Sequence, residues 1–504
     1  MYSRQAIFLL LFLCLGSFSV LAQPVITPRN MALGGGGSTY ITDYNANFYN
    51  PANLMIRDRE GDFSIGVGIG GFFFNPFENF DNPNLQYENA RDYLTAYESG
   101  NRASFSSNRD EILDKNYPRN ATLSDNTTRY DATVLGMKWK RENRSFSIAL
   151  RTRTSSNFRV GKGWYVNEFQ EDRDGNNVLD RTLIHRYQTL HELSFGYAES
   201  FPFLTGLTPR LDNFVIGIAP KIVVSGNYQN AVWENIYQQQ GNSVQRIESF
   251  SYDATGEFSS STQSYFNGNN IQTANTQSFN NNYFTFDGVG AGLDIGVTYL
   301  LTLGSDLSAV RPDQQPTRKS LRLSFSMTDI GFVSYNNNEL TISMDMDTTM
   351  NASPPSSVSN EMFTGTRGQY ISFIEQYGED NPFIGTNRSR ASFSTLLPMA
   401  VHGGALLEIN RLKLMGDVSI GLTNNAFNST KVISSVGVEI RPLKFLPLRG
   451  GVQFKAEQPD FLSLGTAIET KKWDFSVAAL FTPNSLTNQP TITGISVATL
   501  QFHF

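Results

Sequence analysis

The sequence predicts an all-β fold: a transmembrane antiparallel up-and-down β-barrel of about fourteen strands, with an N-terminal plug segment and long extracellular loops. Three observations predict it. Segments of about ten residues alternate apolar and polar side chains between turn residues, the period of a strand with two unlike faces. Long and short connections fall on opposite ends of the series, as they do when a barrel crosses a membrane. The last ten residues, Ile495 to Phe504, form one more such strand and stop on an aromatic residue, where a soluble chain usually ends frayed and polar.

Residues 1–22 have the form of a secretory signal peptide: Arg4, an apolar run from Ala6 to Leu15, then Ser19-Val20-Leu21-Ala22. Cleavage is expected after Ala22, leaving Gln23 as the mature N-terminus. The one cysteine, Cys14, lies in the apolar run behind Leu13, so lipoprotein cleavage is not expected there. The mature chain then has no thiol for a disulfide or a metal site. Beyond residue 22 no window approaches the roughly 18–20 apolar residues of a membrane helix. A hydrophobic fraction of 40% looks soluble, yet the same average arises when lipid-facing and lumen-facing residues alternate. An aromatic share of 12%, mostly Phe and Tyr, leans toward strands and interfacial girdles. A net charge of −6 argues against nucleic acid as a partner, since such binders need a cationic surface.

Residues 23–60 are read as the plug or hatch segment and 61–504 as the barrel. Strands are expected near 61–74, 129–140, 144–155, 187–200, 213–227, 284–301 and 318–333. Seven more follow near 397–409, 411–423, 432–442, 445–456, 460–471, 473–482 and 494–504. If the first strand runs outward, the connections 75–128, 156–186, 228–283 and 334–396 are all outside. The short ones near 141–143, 410, 443–444 and 472 are then periplasmic, with 201–212 and 302–317 as longer periplasmic turns. Among the outer segments, 85–115 and 354–378 contain enough helix formers for short helices. The Asn-, Gln- and Ser-rich 228–283 is expected to be a surface loop with little core.

Within strands the faces separate cleanly. Phe146, Ile148 and Leu150 oppose Ser147, Ala149 and Arg151, and Leu321, Leu323, Phe325 and Met327 oppose Arg322, Ser324, Ser326 and Thr328. A charge on the lipid face at the bilayer midplane costs about 2–4 kcal/mol, so the charged face is assigned to the lumen. The lumen candidates are Arg151, Glu192, Lys221, Asp294, Arg322, Glu439 and Arg441, with Arg153, Glu408, Lys413, Asp417, Lys455, Glu469 and Asp474 beside them. Mutual pairing is expected, with a selectivity or transport role as the alternative. In the strand 284–301 the inward set reads Phe286, Gly288, Gly290, Gly292, Asp294, Gly296 and Thr298, and Gly66, Gly68 and Gly70 repeat the glycine stripe in the first strand. Such stripes open space beside the wall or permit bending. At the C-terminus Ala498, Leu500 and Phe502 are assigned to lipid, and Phe504 to the periplasmic interface.

A barrel this wide cannot be filled by its own side chains, so an internal segment or a ligand is expected to occupy it. The segment RNMALGGGGSTYITDYNANFYNPANLM, Arg29 to Met55, carries the run Gly34, Gly35, Gly36 and Gly37 and the motif Asn50-Pro51-Ala52. A flexible linker is the alternative reading of it. Together with FDGVGAGLDIGVTY, Phe286 to Tyr299, it resembles the FadL-type transporters of hydrophobic compounds and their PorV-like relatives, and in particular an uncharacterised, domain-of-unknown-function branch of that superfamily. The resemblance implies fourteen strands and a plug built from the glycine run and Asn50, Pro51 and Ala52. It also implies a plugged channel for passive uptake of hydrophobic or amphipathic small molecules; the alternative is a PorV-like docking component of a secretion system, or a surface-structural barrel without transport. The aromatic C-terminal strand resembles the signal read by the barrel-assembly machinery of the bacterial outer membrane. The expected partners are accordingly that machinery, outer-membrane lipid, and a hydrophobic ligand or secreted proteins.

Gln170 to Arg181, QEDRDGNNVLDR, resembles a calcium loop around Asp172, Asp174, Gly175, Asn176 and Asp180, but Gln170 and Arg181 stand where such a loop needs Asp and Glu. A polar turn is the plainer reading, and no metal is assigned. His185, His191, His402 and His503 form no metal-ligand or catalytic spacing, and no G-x-S-x-G is present. Neither cofactor nor enzymatic activity is expected.

Overall fold

The computed structural model describes residues 26–56, 62–75, 117, 121–201 except 165, 167 and 173, 212–260 except 242, 286–302, 319–351 except 337–338 and 345–349, 386–455 except 390, 460–482, and 491–504. The expected signal peptide and the two helix-forming stretches 85–115 and 354–378 lie outside the described residues, as do most of 260–283 and the turns 202–211 and 303–318.

Fourteen antiparallel strands form the wall. They are β1 Phe63–Asn75, β2 Asn126–Arg141, β3 Arg144–Val160, β4 Leu183–Ser200, β5 Asp212–Gln240, β6 Gly288–Thr302 and β7 Lys319–Tyr335. The second half comprises β8 Ala400–Ile409, β9 Leu412–Gly421, β10 Ile433–Leu443, β11 Leu446–Lys455, β12 Phe461–Glu469, β13 Trp473–Thr482 and β14 Thr491–His503. Each pairs with its sequence neighbours, and β1 pairs with β14 from Ser64↔His503 to Phe73↔Gly494. Closure is what lipid demands, because an open edge there would leave a row of unpaired backbone groups. All fourteen expected strands are present. The short-turn end carries tight turns in which Glu142 and Asn410 take left-handed backbone.

The alternation of faces holds over most of the wall, with Val289, Leu293 and Ile295 exposed to the outside and Asp294, Gly296 and Thr298 buried inside. One break crosses three strands. Gly68, at φ 69°, lies level with residues 134 and 499, and β1, β2 and β14 all exchange faces there. Bulges bound the row, where the register slips between Thr133 and Leu135 of β2 and opposite Asp474 and Ser476 of β13. Three assignments change as a result. Ala498 points inward and packs with Tyr44 and Ile69, and Gly68 and Gly70 leave the lumen face, which passes to Ile69, Gly71 and Phe73. Phe286 precedes the strand and is 62% exposed on the outside, beside the His191 ring.

The outer part of the chain also departs from expectation. Instead of a loop from residue 228, β5 continues to Gln240 and turns back as Ser243–Ala254. That strand pairs with Leu340–Met344, which pairs with Thr386–Ser389, so the wall rises beyond the barrel. Ala231, Trp233, Tyr237, Phe250, Tyr252 and Ala254 give this extension a buried apolar face among its polar residues. Residues 170–181 form a small hairpin, Gln170–Glu171 against Asn177–Asp180, whose turn is tied by Asp172 Oδ1 accepting the N–H groups of Asp174 and Asn176. It is a polar turn, and among the described residues no cluster of acidic, His or Cys side chains has the makings of a metal site.

Candidate functional site

The lumen is the candidate site, and it is filled in layers. Residues 26–56 are almost wholly buried and touch strands around the circumference: the helix Pro28–Ala32 meets β12, β13 and β14, and the 3-10 turns Tyr44–Phe48 and Pro51–Met55 meet β2 to β6. Only a segment inside the barrel can do so. Thr27 caps the helix and Pro28 opens it, which suits a residue without an N–H at the first helical position. Gly34 and Gly35 follow in left-handed backbone, and the run is tied to the wall where Ser463 Oγ accepts the Gly34 N–H at 2.9 Å and Gln453 Nε2 donates to the Gly34 carbonyl at 3.1 Å. Gly36 lies against Ser435, Met415 and Asp417, and Gly37 against Ile41 and Tyr49.

The Asn50-Pro51-Ala52 motif has a physical account. Asn50 Oδ1 accepts the Ala52 N–H and caps the turn that Pro51 begins. Its Nδ2 lies 3.0 Å from the Ser38 carbonyl and Thr298 Oγ1, and 3.3 Å from the Val297 carbonyl, joining two parts of the segment to β6. Pro51 and Ala52 press on β5 at Gly217, where any Cβ would meet their backbone. The Asn50→Ala variant is expected to lose about 2–4 kcal/mol of stability, because several buried partners are left unpaired at once. Urea titration of the refolded barrel measures it, and a change within about 0.5 kcal/mol would refute the assignment.

Glycines on most of the strands receive this segment. Gly66 and Gly136 face the Tyr44 ring, Gly196 faces Asn47 and Leu54, and Gly296 faces Asn50. Across the barrel Gly404 faces Ser38, while Gly437 and Gly451 face Leu33. Gly66 and Gly296, one from each expected stripe, are therefore seats, whereas Gly288, Gly290 and Gly292 lie against Tyr335, the Phe332 carbonyl and Leu397 with Lys221.

At the short-turn end, the segment is held by charge. Arg29 lies 3.7 Å from Glu469 and 3.8 Å from Asp474, and Tyr40 donates to Glu439. Arg449 bridges Glu439 at 2.8 Å and Glu469 at 2.5 Å, and Arg441 bridges the same two acids at 2.7 Å. Arg322 pairs with Glu408 at 3.3 Å on the neighbouring strands. Ser38 donates to Asp417 through both its hydroxyl and its N–H.

Above the segment sits a second, more deeply buried layer. Glu192 receives Arg151 at 2.5 Å and Arg153 at 2.7 Å, with Lys221 at 3.6 Å. Lys221 lies 2.8 Å from Asp294 and also pairs with Asp329, which takes Arg153 at 2.8 Å. Sequence reasoning missed Asp329. It sits at a bulge in β7 with left-handed backbone, φ 58°, out of phase with the alternation that identified its neighbours; Asp294 Oδ1 accepts its N–H. An Asp in the pattern Thr-Asp-Ile-Gly, where two consecutive polar residues interrupt a strand, was the available signal.

Two aromatic rings bracket this layer. From the N-terminal segment, Phe48 lies 4.0 Å from the Arg151 guanidinium carbon and 5.9 Å from Lys221 Nζ. From the other side the connection 422–432 dips inward: Phe427 lies 4.8 Å from Arg153 and 5.4 Å from Arg129, and Ser155 Oγ donates to the Ala426 carbonyl at 2.6 Å. Beside Phe427, Leu190, Val223, Val333, Tyr335 and Leu397 form an apolar cluster inside the barrel mouth, flanked by Tyr228 and Phe393. From the short-turn end, the order is thus ion pairs, N-terminal segment, ion pairs, then an aromatic and apolar cap.

Comparison with solved structures yields FadL-like outer-membrane channels at low identity. The TodX deltaS2S3 mutant monoaromatic hydrocarbon channel is 10% identical, with 95% of this chain and 99% of that chain covered and a TM-score of 0.44. The toluene transporter TbuX of Ralstonia pickettii is 11% identical, with 96% and 99% covered and a TM-score of 0.39. The toluene transporter TodX of Pseudomonas putida is 10% identical, with 96% and 99% covered and a TM-score of 0.41. No curated protein matches the chain. A family model described as a family of unknown function, DUF5723, matches residues 73–479, and with well over half its length matched the chain belongs to that family.

Proposed function

We propose that the protein is a plugged channel of the bacterial outer membrane, in its closed form, for passive uptake of hydrophobic or amphipathic small molecules. The observation that carries this reading is the apolar and aromatic cluster of Leu190, Val223, Val333, Tyr335 and Leu397 within the mouth of an otherwise polar lumen. The cluster is buried in the closed form; on this reading the connection 422–432 moves aside to uncover it, and an apolar solute leaving water is then stabilised by it. The ion-pair layer below is a barrier to that solute, so passage requires Phe48 and the segment 26–56 to move. On this reading the chain is exported with residues 1–22 as a cleaved signal, assembled through its aromatic C-terminal strand, and has no enzymatic role.

Proteoliposome uptake of labelled toluene and hexanoic acid tests it. Uptake above protein-free vesicles is expected, and the paired substitution Ser38→Cys with Asp417→Cys, which tethers the N-terminal segment to β9, should abolish it until the disulfide is reduced. Equal uptake with and without the tether would remove the gating role.

A second reading rests on a different observation. The raised wall formed by β5, Ser243–Ala254, Leu340–Met344 and Thr386–Ser389 stands over a filled lumen, the arrangement a PorV-like docking platform for secreted or surface proteins would use. A protein co-purifying stably from outer membranes, with no uptake of either probe, would favour it over transport.

A further inference from the structure

At the short-turn end of the barrel, charge is sorted by face. On β8 to β13 the acids at that end, Glu408, Glu439, Glu469 and Asp474, are all buried inside and paired with lumen cations. The three tight turns joining these strands, 410–411, 444–445 and 470–472, carry the opposite sign. Arg411, Lys444, Lys471 and Lys472 stand exposed on them, and none of the three contains an acid. Among the described residues at this end, exposed acids stand further round the rim, at Asp62 and Glu142 beyond β14. In a chain of net charge −6, such an arc does not follow from a basic composition.

The turns are neighbours on the rim. Arg411 Nη1 donates to the Pro442 carbonyl at 2.9 Å, and the Glu469 N–H donates to the Phe445 carbonyl at 2.7 Å. The cations also adjoin exposed apolar side chains of the outer wall: Ile409 lies two positions before Arg411, Leu443 and Phe445 flank Lys444, and Trp473 follows Lys472. Ile440, Leu448, Ile468 and Phe475 continue that apolar surface away from the turns. Aromatic and cationic side chains at the end of an apolar band mark the level where a bilayer's hydrocarbon gives way to its headgroups. A lysine there can lay its stem on hydrocarbon and hold its ammonium among the headgroups.

We propose that this arc, Arg411, Lys444, Lys471 and Lys472, binds the phosphodiester headgroups of anionic phospholipids in the leaflet that meets the short-turn end, with Leu443, Phe445 and Trp473 against their acyl chains. Two features select this partner. The uniform sign of the turns calls for an anion, and basic side chains at a membrane surface are attracted to anionic lipid. The exposed apolar surface beside each turn calls for hydrocarbon on the same ligand. A free phosphate or an acidic soluble protein supplies the first alone, whereas an amphiphile with an anionic head supplies both. Binding requires only that the barrel lie in a bilayer, and it stands whether the barrel transports or docks.

The test uses the full-length barrel refolded into phosphatidylcholine vesicles that contain acyl-brominated phosphatidylglycerol or, at equal mole fraction, acyl-brominated phosphatidylcholine. Bromine quenches tryptophan fluorescence on contact, and the part of the signal lost in Trp473→Phe reports the rim itself. The preference for phosphatidylglycerol read from Trp473 is expected to be about threefold or more at low salt, and to vanish at about 1 M salt, where the Debye length is about 3 Å. The triple variant Lys444→Gln, Lys471→Gln and Lys472→Gln should lose the preference, and Arg at the same three positions should keep it. Heat-dependent gel mobility confirms that each variant is a folded barrel, and if the triple variant does not fold, a partial loss in Lys472→Gln decides. Equal quenching by the two lipids in the parent would overturn the proposal and leave the cations to an acidic soluble protein. It is equally overturned if the folded glutamine variant keeps the preference, or if inorganic phosphate at constant ionic strength abolishes it, which would make the rim a site for free anions.

Discussion

Replacing Glu192 by alanine is expected to lower the unfolding free energy by about 3–5 kcal/mol. Glu192 is fully buried and faces three cations, Arg151, Arg153 and Lys221, of which two are within 2.7 Å. Its loss takes the close counterion from Arg151, whose next carboxylate, Asp131, is 4.0 Å away, and leaves the buried layer with one positive charge in excess. The cost of an unbalanced buried charge exceeds the value of the pair itself. Removing charges together should hurt less: Lys221→Met with Asp294→Leu takes one cation and one anion at once, leaving Arg153 with both Glu192 and Asp329. Refolding into lipid vesicles followed by urea titration, read from tryptophan fluorescence, separates the two cases. Equal losses for the single and double replacements would mean that packing rather than charge balance sets the stability of this layer.

Gly217→Leu should dislodge the N-terminal segment while leaving the wall closed. A Cβ at Gly217 would meet the Ala52 nitrogen and the Pro51 carbonyl carbon, and backbone cannot yield as a flexible side chain does. The fourteen-strand ladder does not pass through that contact, so barrel formation survives and the overpacking cost of about 1–3 kcal/mol falls on the segment. The expected results are ion conductance in planar bilayers and protease cleavage within 26–56, with neither expected of the parent. Gly416→Leu is the control: a Cβ there meets nothing within 4 Å, and the residue is exposed on the outer wall. Conductance from both variants, or from neither, would contradict the seating described for the segment.

Much of the fold was legible because lipid is an unforgiving solvent. No charged side chain can rest on the outer face at low cost, so alternation plus charge located Arg151, Glu192, Lys221, Asp294 and Glu439 inside without any structure. Where alternation is broken, the reading failed for the same reason it succeeded elsewhere. Ala498 and Gly70 were placed by counting in twos across a row of bulges, and Asp329 was lost because it is the extra residue of a bulge. The raised hairpin was missed on composition: its Asn, Gln and Ser content hid the alternate spacing of Ala231 and Trp233 opposite Tyr252 and Phe250, which was visible in the sequence. The mutual fit of wall glycines and N-terminal segment was beyond reach, since a stripe of glycines looks the same whether it frames a channel or a seat.

The glycine seats carry a consequence for the order of assembly. The N-terminal segment is the first of the described residues to be made, yet Leu33 rests on Gly437 and Gly451, Ser38 is bonded to Asp417 across 379 positions, and the Ser496 hydroxyl lies 3.4 Å from the Ile26 carbonyl across 470. Its binding surface does not exist until the last strands have been synthesised and β14 has met β1. Contacts so distant along the chain are slow to form, since the entropy of closing the loop is lost before any contact repays it. The first part of the chain must therefore wait, unpaired, for the final strand, and seating it is a late event of folding.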